Sequence, residues 1–294
     1  MGEQTGITWA DKTWSPWRGC TKVSEGCKNC YAEGMSGRNP KVLGEWGPNG
    51  TRIVNANWET PRQWSREAGK AGRREFVFPS LCDPFEDFNG PMHDHKGNHS
   101  INPADTLPYT MPEIRDRFFD LTCQTPFIDW LVLTKRPENI MSMWPVEFDR
   151  PGSQELRKQY ENVWLGTSVE DQASADYRLP HLLACRELSP VLWLSVEPLL
   201  GPIKFKTLDG IDWVIIGNES NGKKNGRYGI DPQATADDWC HWTMSIIEHC
   251  RKAGVAVFVK QIPQGGFVEK DPAKFPSWFR IQEFPTPRIP VPKT

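Results

Sequence analysis

The chain has 294 residues, 38% of them hydrophobic, which is enough for one large α/β domain. No apolar run reaches the length of about 18 residues that a membrane span needs, and the first residues lack the charged and apolar pattern of a signal peptide. The net charge of −2 hides an asymmetry, because residues 1–74 carry 12 Lys and Arg against 7 Asp and Glu; such a basic quarter can attract phosphates or form an ordinary solvated helix face.

Short apolar runs alternate with helical segments along the chain. Taken in order, the predicted strands lie near residues 7–17 and at Phe76–Ser80, Phe127–Thr134, Val163–Ser168, Val191–Val196, Trp213–Gly217 and Val255–Lys260. The predicted helices are Met111–Thr122, Ala173–Cys185 and Thr235–Ala253. Runs this rich in Val, Ile, Leu, Trp and Phe are typical of strands buried on both faces. The alternation predicts an α/β fold of parallel strands in one domain, residues 1–294, as a full or partial (β/α) barrel or as an open sheet.

Polar residues follow most of the predicted strands. In a parallel α/β fold, functional residues gather at the carboxyl ends of the strands, so these side chains are candidates for binding or catalysis. They are Ser80, Asp83, Thr134, Lys135, Arg136, Ser168, Glu170, Ser195, Glu197, Asn218, Glu219, Ser220, Lys260 and Gln261. Any one of them can be a helix cap or a loop contact, but their recurrence at successive strands indicates a shared site.

The longest irregular stretch is an insertion at about residues 81–110. A loop of this length in a compact domain is usually a lid, a binding loop or a disordered segment. It contains His93, His95 and His99, with Asp94 between the first two, so a zinc site is one interpretation. Because the flanking Gly, Asn and Pro residues fix no ligand geometry, we expect a polar lid with exposed histidines instead.

Three of the eight cysteines, Cys20, Cys27 and Cys30, form the pattern C-x6-C-x2-C. Without a secretory signal, such a group indicates a metal or cluster site in a reducing, cytoplasmic compartment. Three thiolates are one ligand short of a closed zinc site, so either a distant residue supplies the fourth ligand or a cubane cluster keeps one iron open. The segment after Cys30 looks helical, which predicts the third thiolate at a helix N-terminus. The remaining cysteines are expected to be small buried apolar residues: Cys82, Cys123, Cys185, Cys240 and Cys250.

The stretch Trp17–Glu33 (WRGCTKVSEGCKNCYAE) resembles the cluster loop of radical S-adenosylmethionine enzymes. It is most similar to a phage and bacterial radical-SAM-like family that is often found with a three-cysteine-motif partner protein and is distantly similar to spore photoproduct lyase and DNA-repair lyases. Further blocks in that family's order are SLCDPFEDF (80–88), LTKRPENI (133–140), WLGTSVED (164–171), LSVEPLLGPI (194–203), WVIIGNES (213–220) and FVKQ (258–261). Two features differ: the common radical SAM loop is C-x3-C-x2-C with an aromatic residue between the last two cysteines, and the family is richer in glycine at 217–221.

The resemblance implies a [4Fe–4S] cluster on Cys20, Cys27 and Cys30, with S-adenosylmethionine on the open iron and an external reductant as the electron source. Cleavage of the cofactor would give a 5′-deoxyadenosyl radical, which would modify or repair a nucleic-acid base or nucleotide, such as phage DNA. The residues expected to contact the cofactor are Tyr31, Ser168, Glu170, Glu197 and Glu219. Lys135 is expected to be catalytic, and so is Cys82, which is either a hydrogen donor to a product radical or a buried thiol.

Other interpretations stay open. The three cysteines can hold zinc or a cluster for structure alone, in a non-catalytic nucleic-acid-binding module, although the polar strand ends argue against this. The chain can also depend on a three-cysteine-motif partner protein for its activity. A radical enzyme acting on a peptide or a small metabolite would have the same sequence features.

Overall fold

The computed structural model describes residues 5–145, 160–219, 228–231, 233–264 and 267–287. Contacts divide the chain into two compact units. Unit 1 comprises Met1–Lys22 and Ala32–Trp164, and unit 2 comprises Val23–Tyr31 and Leu165–Thr294. The short segment that carries Cys27 and Cys30 therefore belongs to the unit formed by the C-terminal half of the chain.

The described strands and helices agree with most of the predicted elements. The strands are β1 (Lys12–Thr13), β2 (Trp17–Arg18), β3 (Arg52–Val54), β4 (Glu75–Phe78), β5 (Met92–His93), β6 (Ile128–Thr134), β7 (Val163–Ser168), β8 (Leu192–Val196), β9 (Trp213–Ile216), β10 (Ala256–Val259), β11 (Ile262–Gln264) and β12 (Phe267–Glu269). The helices are α1 (Tyr31–Ser36), α2 (Pro40–Leu43), α3 (Glu59–Lys70), α4 (Met111–Cys123), α5 (Ile140–Met143), α6 (Gln172–Ala184) and α7 (Ala236–Ala253).

The central sheet has seven strands in the order β1-β4-β6-β7-β8-β9-β10. Each described register in it is parallel. The order has two ends, β1 and β10, so the sheet is not closed among the described strands. The predicted α/β class is thus confirmed, in the form of a partial (β/α) barrel of parallel strands.

Aromatic residues build the core of unit 1. Trp14, Phe118 and Trp130 are fully buried, with ring centroids 5.2 to 6.4 Å apart. A capping box between Thr110 and Glu113 begins α4, the helix that carries Phe118 into this core. These tryptophans are therefore packing residues and not exposed stacking surfaces.

The insertion at 81–110 is partly folded. β5, which lies within it, pairs in parallel with β3, and β3 pairs antiparallel with β2. Isolated bridges from His93 to His99 and from Ile101 to Pro108 bring the remainder of the segment back on itself. The insertion thus supplies the third strand of a small β2-β3-β5 sheet in unit 1.

In unit 2 the strand register aligns the carboxyl ends of neighbouring strands. Ser168 of β7 pairs with Ser195 of β8, and Ile216 of β9 pairs with Val196 of β8 and with Val259 of β10. The residues that follow these strands are consequently neighbours at one edge of the sheet. α7 is the longest described helix, at 18 residues, yet no helix in the described ranges is long and apolar enough to cross a bilayer.

The five scattered cysteines have different surroundings. Cys185 and Cys250 are buried, as predicted for small apolar residues, and burial raises the pKa of each thiol to about 12. Cys82 and Cys240 are half-buried. Cys123 is exposed at the end of α4, so the expectation of burial is wrong for this residue: the last residue of the helix faces solvent, although Leu121 and Thr122 just before it are buried.

Candidate functional site

In unit 1, Asp83 joins the residues that follow β4 and β6. Its carboxylate accepts hydrogen bonds from the Thr134 hydroxyl at 2.6 Å and from the Lys135 backbone N–H at 3.1 Å. It also pairs with the Arg136 guanidinium at 2.8 Å. The prediction that polar residues at these two strand ends lie together is therefore confirmed. The half-buried Lys135, a predicted catalytic residue, lies between two side chains that bind Asp83.

A second buried ion pair adjoins this one. Arg52 is 0% exposed and Glu86 is 1% exposed, and two hydrogen bonds of 2.8 and 2.9 Å join them. Glu86 also accepts from the backbone N–H of Thr21 at 2.8 Å and lies 3.7 Å from Arg136. Two guanidinium groups and two carboxylates thus form one cluster in which the positive and negative charges balance. This cluster binds Thr21, the residue that follows Cys20.

Cys20 lies beside this cluster. Its Sγ is 3.8 Å from Nη1 of Arg136. Burial raises the pKa of the Cys20 thiol, the carboxylates of Asp83 and Glu86 raise it further, and Arg136 opposes them. The thiol is therefore protonated in the protein without a metal, and a metal ion would have to displace the proton in order to bind here.

Cys82, the predicted hydrogen donor, also belongs to unit 1. Burial raises its pKa well above the usual value, Asp83 and Cys20 add to this, and hydrogen bonds from Trp17 and Ser15 oppose it. Cys82 is consequently a stable thiol. That state suits a hydrogen donor and a structural residue alike, so its catalytic role stays a prediction.

In unit 2, Glu170 is held in a buried ion pair. It is 1% exposed, and its Oε2 accepts from Arg178 on α6 at 2.8 Å. The same guanidinium binds the backbone oxygen of Ser168 at 2.9 Å. Ser168 and Glu170 were both expected to contact the cofactor, and the structure shows them joined to each other through a residue that the sequence did not single out.

The loop that carries Cys27 and Cys30 is tied to the strand ends of unit 2. Ser24 donates to Oε1 of Glu170 at 3.1 Å and lies 3.8 Å from the Cys27 sulfur. Asn29 donates to Glu219, the residue that follows β9 by three positions, at 2.8 Å. Two of the predicted cofactor residues, Glu170 and Glu219, therefore fix the position of the cysteine loop.

Gly26 explains how closely this loop approaches the sheet. A Cβ atom at Gly26 would lie 2.3 Å from Cγ of Glu170, so only glycine fits without a shift. After the loop, Cys30 directly precedes α1, as the sequence predicts. Tyr31 begins that helix and is 37% exposed.

Glu197 and Lys260 form a second polar centre in unit 2, 2.8 Å apart and 11% and 17% exposed. Gly217 lies against this pair, since a Cβ there would be 2.4 Å from Oε1 of Glu197. Beside it, the buried Nδ2 of Asn218 has no hydrogen-bond partner among the described residues, while Gln261 donates to the Asn218 backbone oxygen. An unsatisfied buried donor next to a charged pair is a feature that a polar ligand can complete. Ser220, also predicted at this strand end, lies outside the described residues.

The candidate metal ligands in the described part of the chain do not form a metal site by themselves. Within the described ranges, no three His, Cys, Asp or Glu side chains form a group that could hold a metal ion. This includes His93 and His99, whose rings meet edge to face with centroids 5.1 Å apart. Cys20, Cys27 and Cys30 form no disulfide in the described part of the chain and are partly exposed, which suits thiols that serve as soft metal ligands.

The residues that sequence reasoning missed are the arginines Arg52 and Arg178 and the carboxylate Glu86. Glu86 stands in a block that was noted only for its resemblance, and the arginines follow no strand end. Their roles depend on partners 34 and 8 residues away, which no local pattern reveals.

Comparisons with known proteins give one result. A family model described as "Protein of unknown function (DUF5131)" matches residues 4–277. No curated protein and no solved structure matches the chain.

Proposed function

The chain belongs to the DUF5131 family, and from its site we propose that it is an iron–sulfur enzyme of the radical S-adenosylmethionine type. The observation that supports this proposal is the attachment of the cysteine loop to the strand ends. Ser24 and Asn29 bind the carboxylates of Glu170 and Glu219, which follow two strands of the parallel sheet. A cysteine loop that served only local stability would not need contacts to the carboxyl ends of the strands, where functional residues gather in parallel α/β folds.

The proposed ligands are Cys20, Cys27 and Cys30. A bound [4Fe–4S] cluster would supply the electron that cleaves S-adenosylmethionine reductively. Arg136, beside the Cys20 sulfur, would stabilise its thiolate form. Glu170 and Glu219 would fix the loop through Ser24 and Asn29.

The second polar centre would bind and orient the organic cofactor or substrate. Lys260 can attract a carboxylate or phosphate, although it must then share its charge with Glu197. The free Nδ2 donor of Asn218 can satisfy one acceptor of the bound molecule. Burial of these groups would exclude water from a reactive radical.

We propose a nucleic-acid base or nucleotide as the substrate, in a cytoplasmic setting, with an external reductant and a three-cysteine-motif protein as partners. The resemblance of the sequence blocks supports this assignment. The basic first quarter supports it less than the sequence suggested, because most of its clustered arginines are paired. Arg66 binds Glu59, Arg73 binds Glu75 and Arg74 binds Asp129, each at 2.7 or 2.8 Å.

The test is anaerobic purification and reconstitution with iron and sulfide. We expect a brown protein with visible absorbance and about four irons per chain, which reduces with dithionite and then forms 5′-deoxyadenosine from S-adenosylmethionine. Cys30→Ala should lose the absorbance, whereas Cys240→Ala, a half-buried cysteine on α7 of the same unit, should keep it. A reconstituted cluster that never yields 5′-deoxyadenosine would refute the enzymatic proposal.

One observation favours the structural alternative. Cys82 is close enough to Cys20 for a thiolate at Cys20 to raise the pKa of Cys82, so a fourth thiol is at hand for a closed zinc site. A colourless protein with one zinc per chain, lost in both Cys20→Ala and Cys82→Ala, would support a non-catalytic module. Zinc-free iron protein that is unaffected by Cys82→Ala would exclude it.

A further inference from the structure

The folded insertion encloses a pocket in unit 1 that contains no cysteine. The cavity measures about 300 Å³ and opens to solvent between the ends of β3 and β5 and the outer face of α4. Its walls include Val54, Trp58, His95, Ile101, Tyr109 and Arg117. This volume is at the lower limit for ligand sites, so it suits one small ligand group and not an extended cofactor.

Arg117 gives the pocket a positive charge. Its guanidinium lies 4.1 Å from the ring centroid of Trp58, in a cation–π contact. No carboxylate in the described part of the chain forms an ion pair with it. A guanidinium stacked on an indole keeps its edge N–H groups available, and these donors match the geometry of a phosphate.

Among the described residues, no charged side chain around the pocket forms an ion pair with Arg117. Asp94 lines the cavity and carries a negative charge, but its carboxylate is held by the backbone N–H groups of Lys96 and Asn98 at 2.8 and 2.9 Å. Arg62 lies on the same side, where it binds the Trp58 backbone oxygen at 2.9 Å. Burial lowers the pKa of Arg117, Tyr109 opposes this, and the like charge of Arg62 lowers the pKa further.

Aromatic surface completes the pocket. Tyr109 is only half-buried, and Trp58 is covered on one side by Arg117. A base can stack on such a ring whatever its identity, because every base has a π face. We propose that this pocket binds a phosphate-bearing nucleotide unit, with the phosphate on Arg117 and the base against Tyr109.

This inference rests on the proposed function only in naming nucleotides as the ligand class, and it does not require a cluster. The full chain is titrated by calorimetry with adenosine monophosphate, inorganic phosphate and a short single-stranded oligodeoxynucleotide, and the iron content of each sample is recorded. Binding of the mononucleotide would identify free nucleotides as the source of the ligand. Binding of the oligonucleotide alone would identify a nucleic-acid strand.

Two variants locate the site. Arg117→Gln should weaken binding about tenfold or more, because it removes a charge-assisted contact, while Arg66→Gln, which removes an exposed cation outside the pocket, should change it less than about twofold. Ile101→Glu places a negative charge at the exposed rim and should weaken binding. Leu107→Glu, which is also exposed on the same insertion but is not in the wall, should not.

The outcomes separate the two proposals. Failure of all three probes to bind the wild-type chain would overturn the pocket assignment, whatever the iron content. So would binding by Arg117→Gln and Ile101→Glu that is as tight as binding by the wild-type chain. Normal binding with no cluster formed would instead leave the pocket in place and refute the radical enzyme.

Discussion

The charge of Arg52 is entirely shielded from solvent, and Glu86 is the carboxylate that balances it. Such a pair is stable only while both partners are present, because a single buried charge has lost its hydration and has no counter-ion to compensate for that loss. Glu86 also accepts the backbone N–H of Thr21. A single carboxylate therefore links the buried charge to the chain segment next to Cys20.

Glu86→Gln tests this link. The substitution keeps the shape of the side chain but leaves Arg52 without its counter-ion, so we expect the free energy of unfolding to fall by about 3–5 kcal/mol. The measurement is urea unfolding followed by circular dichroism. Glu67→Gln, on the exposed face of α3, is the matched control and should cost less than about 1 kcal/mol. Equal effects of the two substitutions would contradict the inferred role of Glu86.

At the scale of elements, the cysteine loop depends on Gly26. Glu170 cannot move aside easily, because Arg178 holds it in a buried ion pair. Gly26→Ala should therefore displace the loop and lower the free energy of unfolding by about 1–3 kcal/mol, the usual cost of overpacking. We also expect the iron content after reconstitution to fall. Gly6→Ala, where a Cβ meets nothing within 4 Å, should leave both quantities unchanged; full iron content in Gly26→Ala would show that the loop position is not needed.

The start of α7 gives a prediction with a pH dependence. Thr235 accepts from the Asp238 backbone N–H and donates to its carboxylate, so Thr235→Ala should destabilise the protein by about 1 kcal/mol at neutral pH. The hydrogen bonds from Thr235 lower the pKa of Asp238 in the folded chain. A lowered folded pKa stabilises the protein above the unfolded pKa, and this contribution is lost as the pH falls through the folded pKa.

Urea unfolding of both chains at neutral and acidic pH checks this. The difference between wild type and Thr235→Ala should shrink in acid, where Asp238 is protonated in both. Ser245→Ala, in the exposed middle of the same helix, should show no such change with pH. A difference that is constant with pH would mean that the cap acts without Asp238.

The long periodic elements were predictable, and the short ones were not. The run Val163–Ser168 is buried throughout and its apolar residues mark the strand in the sequence, so both bounds of β7 were predicted correctly. β2 and β5 have two residues each, which is too few for any alternation, and they exist only because β3 lies between them. α3 was expected only as one interpretation, a solvated helix face without bounds, because Trp58 precedes it without a side-chain cap.

The candidate site was predicted to the same extent. Strand-end residues such as Asp83 and Glu219 could be found from the sequence, because parallel strands place their carboxyl ends together. The partners that these residues bind could not be found from the sequence, because tertiary packing determines them. Glu219 was expected to hold a cofactor, and the structure shows it holding Asn29 of the cysteine loop.

At the scale of the whole molecule, β10 ends the seven-stranded order and presents an edge that needs protection. The segment that follows residue 277, where the family match ends, lies along it. Val259 donates to Ile281 at 2.8 Å and Glu283 donates to Val257 at 2.9 Å, while Trp213 donates to the Glu283 backbone oxygen at 2.8 Å. The C-terminal segment thus occupies the hydrogen-bonding edge that another chain could otherwise use.

Removal of this segment should therefore promote association. A chain that ends at Lys274 loses the cover of β10 and exposes Phe258 and Trp213, which are both buried in the intact protein. We expect a lower soluble yield and larger species in size-exclusion chromatography, because an uncovered edge strand with apolar residues is a template for pairing. A chain that ends at Pro287 keeps the covering segment and is the matched control. If both truncated chains elute at the same volume as the wild type, the edge of β10 must be protected by something other than residues 281–284.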